Sequence, residues 1–257
     1  MAVSVGRESR VRLVGLSLGV SIVGILTGGL VLLAMALTLS AAGVTIDGPT
    51  QLVLSLVAVQ GIAFPVTGIA YLRWRGHSLD FIPIRIPSVR EVGTILAGWI
   101  GALVLVNAAT YIVSVVGADA ARNQAGQIAL ENPEFIPFLI PLVFLLNAPG
   151  EELLYRGVIQ GTLRERFSGP VAILLASLMF APIHIVALIG SLQAALTTIA
   201  ILLVPSLVFG AVYEITENFL VPTLVHGLYN ATLFGLLYLT VTMGGPDSSP
   251  ALLALTG

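Results

Sequence analysis

The sequence predicts an all-α protein embedded in a membrane, a polytopic bundle of about seven to eight helices. Composition is the first reason. Hydrophobic residues make up 57% of the 257-residue chain and charged residues only 9%, against roughly 25% charged in a soluble domain. The second reason is distribution: the apolar residues are gathered into runs near the ~20 residues that a spanning helix needs. The third is the backbone. In hydrocarbon only helices and closed barrels satisfy every peptide group, and long apolar runs without strict alternation are helical.

In chain order the runs fall near 13–41, 51–73, 92–116, 135–155, 170–189, 193–213 and 219–243. The first is too long for the apolar region of a signal peptide, about 7–15 residues, so it is expected to stay as an anchor. The fourth should continue as a helix through Arg166. Between the second and third lies a linker, 74–91, in which Pro83 and Pro87 rule out a long helix. The connection 117–134 is the most polar stretch, with Asp119, Arg122, Asn123, Gln124, Gln127, Glu131 and Glu134. It reads as an external loop, a solvent-facing helix or a lid over a cavity. The segment 244–257, rich in Gly, Ser and Pro, reads as a flexible tail. The chain thus divides into an N-terminal membrane region, 1–134, a membrane core, 135–243, and the tail.

Basic residues stay in cytoplasmic loops, and here every one of the eleven is an arginine. Arg7, Arg10 and Arg12 precede the first run. Arg73, Arg75, Arg85 and Arg90 lie between the second and third, and Arg156, Arg164 and Arg166 late in or after the fourth. A cytoplasmic N-terminus puts these ten inside and only Arg122 outside, so that orientation is expected for an integral, multi-pass protein. Cysteine is absent, which excludes disulfides, thiolate metal sites and a cysteine nucleophile. A net charge of −2 gives no electrostatic footprint for nucleic acid.

Ionisable groups inside apolar runs are expensive and mark function. The fourth run contains Asn147-Ala-Pro-Gly-Glu151-Glu152-Leu-Leu-Tyr155-Arg156, with Pro149 and Gly150 expected to break or kink the helix. Glu152 and Arg156 are four apart and share a helix face, so they can pair. Glu151 points roughly 100° away and must find another partner. The fifth run holds Phe180-x-x-x-His184 around Pro182, and the seventh holds His226-x-x-x-Asn230. Singly, these have structural explanations: a satisfied core histidine, or side chains that join helices by hydrogen bonds. Together they suggest chemistry. Glu151, His184 and His226 form a ligand set that zinc accepts, although no His-Glu-x-x-His is present. Without a metal, Glu151 would act as general base on water, His184 would orient it, and His226 and Asn230 would donate to the oxyanion.

The pattern Glu151-Glu152-x-x-x-Arg156, Phe180-x-x-x-His184 and His226-x-x-x-Asn230 resembles the three motifs of the CAAX-processing and bacteriocin-processing (CPBP, or Abi) family of intramembrane proteases. That family includes the type II CAAX prenyl endopeptidases, and the resemblance covers roughly 135–235. It implies a helix bundle around a polar cavity open to the cytoplasmic side, and hydrolysis of membrane-associated or prenylated (CAAX-type) peptides in the bilayer. It also implies roles. Glu151 would activate water with His184 as partner, while His226 and Asn230 would stabilise the tetrahedral intermediate or hold a metal. Glu152 and Arg156 would support the first motif, and Phe180 would pack nearby. Whether zinc is required stays open, as does the name metalloprotease given to some members. Two other classes remain: a non-catalytic membrane scaffold or immunity protein, and a proton-coupled transporter, for which no paired repeats are evident.

Overall fold

A computed structural model describes residues 9–243; the expectations for Arg7 and for the tail 244–257 lie outside the described residues. Eight helices follow one another: α1 (Arg10–Ala41), α2 (Gly48–Trp74), α3 (Val89–Val115), α4 (Gln124–Glu131), α5 (Pro133–Arg164), α6 (Gly169–Ala187), α7 (Leu192–Thr216) and α8 (Leu220–Thr242). All but α4 are long and apolar enough to cross a membrane. Among the described residues, strand is confined to β1 (Arg122–Asn123) and β2 (Leu188–Ile189), which pair antiparallel. The expected helix bundle is therefore what the chain forms. The polar connection 117–134 folds into β1 and α4.

Local chemistry sets the helix ends. Ser88 and Glu91 form a reciprocal capping box at the start of α3, and Asp47 caps α2 by accepting from the Thr50 amide. Gly43 and Gly117 take φ of 78° and 69° just past α1 and α3, the left-handed terminations that favour glycine.

Three helices leave ideal geometry near the bundle centre. The middle of α2 widens into a π-helix over Leu56–Ala63, and α5 does so over Val143–Asn147 and again over Leu153–Gln160. The end of α6 tightens into a 3-10 helix over Ala181–Ala187. The sequence suggests a break or kink at Pro149; α5 runs through without a break, and its departure from α geometry lies just before the proline. The wide turn ends two residues earlier, at Asn147, and shifts the hydrogen-bond register where proline has no N–H to give. At Pro182 the helix is distorted into the tighter 3-10 turn.

Two glycines let the helices touch. A Cβ on Gly150 would collide with the backbone carbonyl of Gln60, so α5 lies directly against the wide turn of α2. A Cβ on Gly227 would meet the Phe144 ring at 2.5 Å, which locks α8 to α5 in the same way.

The bundle has two unlike ends. At one end lie the start of α1, the α2–α3 linker and the α5–α6 and α7–α8 connections. The linker is extended, as its prolines require, with one 3-10 turn at Leu79–Phe81. It folds back over this end: Ile82 is buried against Gly157, and Phe81 sits on Gly161. The Phe219 amide donates to the Pro83 carbonyl at 2.8 Å. Arg85 donates from its backbone to Asn218 Oδ1 at 3.2 Å and from Nη2 to the Thr216 carbonyl at 2.8 Å. This end is shut.

Candidate active site

The adjacent carboxylates of α5 enter different networks. Glu152 is fully buried; its Oε2 accepts from Arg156 Nε at 3.1 Å and its Oε1 lies 2.9 Å from His226 Nδ1. Arg156, also fully buried, donates from Nη2 to Ser206 Oγ at 3.1 Å and stands over the Phe180 ring, 5.4 Å from its centroid. Glu151 turns the other way. Its Oε1 accepts from Gln60 Nε2 at 3.1 Å and from Asn147 Nδ2 at 3.0 Å, and its Oε2 lies 3.8 Å from His226 Nε2.

His226 and Asn230 close the circuit. Asn230 Nδ2 donates to Asn147 Oδ1 at 2.7 Å and is 3.2 Å from His226 Nε2. With a proton on Nδ1, His226 satisfies both neighbours: it gives that proton to Glu152 and accepts from Asn230 at Nε2. This assignment comes from the network. The imidazole is stacked on Phe209, centroids 4.6 Å apart at 20°. One polar chain therefore runs Glu152–His226–Asn230–Asn147–Glu151–Gln60 through α5, α8 and α2.

A cavity of about 460 Å³ meets this chain on one side, with Gln60, Asn147, Glu151 and His184 in its lining. His184 sits in the 3-10 segment of α6, half-buried, edge-on to Phe180 at 4.9 Å. Its Nδ1 is buried without a hydrogen-bond partner. Buried polar atoms are normally satisfied; this one, on a residue that lines the cavity, has no protein partner. His226 and Asn230 are not among the lining residues and stand behind Glu151. Glu151 is the only charged side chain in the lining.

The residues singled out in the sequence thus fall into two groups. Glu151 and His184 face the cavity; Glu152, Arg156, His226, Asn230 and Phe180 form the shell behind them. The donor set does not fit a metal in this arrangement. Among the described residues no three His, Asp or Glu side chains converge on a shared point. Nε2 of His226, the nitrogen that would coordinate, faces the Asn230 amide. Sequence reasoning left Gln60, Asn147, Ser206 and Phe209 out of the site. Asn147 was within reach, since an amide four residues before Glu151 in an apolar helix is a partner by spacing. Gln60 has only the general signal of a polar residue in an apolar run.

Residues 133–232 match the family model described as type II CAAX prenyl endopeptidase, Rce1-like. Over this segment the chain is similar to the Rce1-like family. The Rce1-like segment holds α5, α6, α7 and most of α8, and with them Glu151, His184, His226 and Asn230. Gln60 reaches Glu151 from α2, outside the match. No curated protein and no solved structure matches the chain. The match makes this part of the chain similar to CAAX-type endopeptidases, and seven apolar helices make the protein an integral, multi-pass membrane protein.

Proposed function

We propose that the protein is an intramembrane endopeptidase that hydrolyses a peptide bond of a membrane-associated substrate, with Glu151 activating the water. One observation carries the reading. Glu151 is a buried carboxylate at the cavity wall whose Oε1 is held by two amide donors, which leaves Oε2 to take a proton. The water oxygen bonds to the substrate carbonyl carbon as its proton passes to Oε2. The proton then goes to the departing nitrogen as the C–N bond breaks. His184, which lines the same cavity, is placed to orient the water or donate to the oxyanion.

The shell has a positioning role in this scheme. Glu152, itself neutralised by Arg156, holds His226 with Nε2 turned towards Glu151. Asn230 fixes Asn147, and Asn147 fixes Glu151. Direct donation from Asn230 to the oxyanion would require its amide to leave Asn147 and His226. We read the reaction as independent of zinc, because the donors do not converge on a shared ion. The family favours peptides carrying a CAAX-type C-terminus as substrates.

The test is a fluorogenic membrane-associated peptide, offered to purified protein in liposomes with and without chelator. Glu151→Ala and His184→Ala are expected to lose cleavage while keeping the thermal transition of the parent. Turnover retained in both variants removes the reading. Loss of activity on chelation with rescue by zinc replaces the metal-free scheme by a coordinated one.

A further inference from the structure

The cavity and the arginines lie at opposite ends of the bundle. From Glu151 near the bundle centre, the lining passes along Ser55 and Gln51 of α2 and ends on Asn123, Gln124 and Ala187. These last residues belong to the end formed by the α1–α2 turn, β1, α4 and β2. Eight of the ten described arginines, Arg10, Arg12, Arg73, Arg75, Arg85, Arg90, Arg164 and Arg166, sit at the other end, and only Arg122 is near the mouth. Arg156 is buried between them. The arginine rule places the first group in the cytoplasm. At that end the linker seals the bundle, and below the site Tyr155, Val158, Ile159 and Leu163 are fully buried. A cytoplasmic N-terminus and a cavity open to the cytoplasm therefore exclude each other.

We infer that the cavity is entered from the non-cytoplasmic face, so that the substrates are membrane-anchored segments presented on that side. This rests on the endopeptidase reading for the word substrate, and on the helix connectivity for the side. The lining also states the chemistry of the guest. Ile25, Leu32, Leu52, Leu56 and Ile183 make its walls apolar, with amides at its mouth. The fitting occupant is an extended apolar stretch next to its anchor. A charged stretch would meet no counter-charge except Glu151.

The chain has no cysteine, so single thiols report cleanly. Thr45→Cys and Asp119→Cys are exposed positions at the mouth end, Ser78→Cys an exposed position on the linker, and Ser55→Cys a position inside the cavity. Intact cells are treated with a small membrane-impermeant thiol reagent, and labelling is expressed against the same variant in detergent. Cells whose inner membrane faces a barrier are first made spheroplasts. Labelling of Thr45→Cys, Asp119→Cys and Ser55→Cys from outside, with Ser78→Cys silent until the membrane is opened, is the expected result. Labelling of Ser78→Cys alone from outside overturns the inference, and so does a Ser55→Cys that reacts only from the cytoplasmic side. Neither outcome touches the Glu151 dependence of cleavage, so the two readings fail separately.

Discussion

Glu151 and Glu152 are neighbours in the chain with unlike surroundings, and substitution should separate them. Glu152→Gln leaves the buried Arg156 without its counter-charge; breaking a buried pair costs about 3–5 kcal/mol. A clearly lowered thermal transition in detergent is expected, together with lost cleavage as His226 is released. Gln60→Leu removes one of two donors to Glu151 Oε1. A hydrogen bond to a charged group is worth about 1.5–3 kcal/mol, so the rate should fall about tenfold or more with little change in KM. An unchanged rate in this variant would remove α2 from the site. The pairing of Glu152 with Arg156 was legible because it is local, four residues on one helix. The Glu151–Gln60 contact spans 91 positions and leaves no periodic trace.

The helices themselves were legible as elements, since length and apolarity decide them in a membrane. Their departures from α geometry were not. A π-turn is one extra residue in a helical register and does not alter an apolar run, yet such turns cluster at functional sites. Here Gln60, Asn147 and Arg156 each lie in one. Close approach of helices is similarly hidden: Gly150 reads as a breaker beside Pro149, whereas its task is to admit the Gln60 carbonyl. Gly150→Ala should push α5 away from α2, costing stability and separating Glu151 from Gln60. Activity would fall together with the thermal transition. A variant that kept both would show that the two helices can slide apart freely. Gly101→Ala, which meets nothing nearby and lies outside the cavity lining, is the control.

At the scale of the molecule, the count of spans and their alternating direction followed from the sequence. The position of the cavity did not, because it depends on which gaps between helices the side chains leave unfilled. Only with the cavity in place do the arginines indicate where a substrate comes from. The 3-10 segment of α6 adds a consequence of another kind. This span has 19 residues, against 32 in α1 and in α5. At 1.5 Å per α-helical residue and about 2.0 Å per 3-10 residue, α6 reaches roughly 32 Å, where an all-α segment would reach only about 28 Å. Stretched in this way it just matches a hydrocarbon layer of about 30 Å, with nothing left for tilt. A bilayer thicker than this has to thin beside α6 to meet it, at a cost that grows with acyl-chain length. Hydrolysis should therefore quicken in liposomes of short acyl chains and slow in thick ones, a dependence that measurements across a series of phosphatidylcholines would read directly.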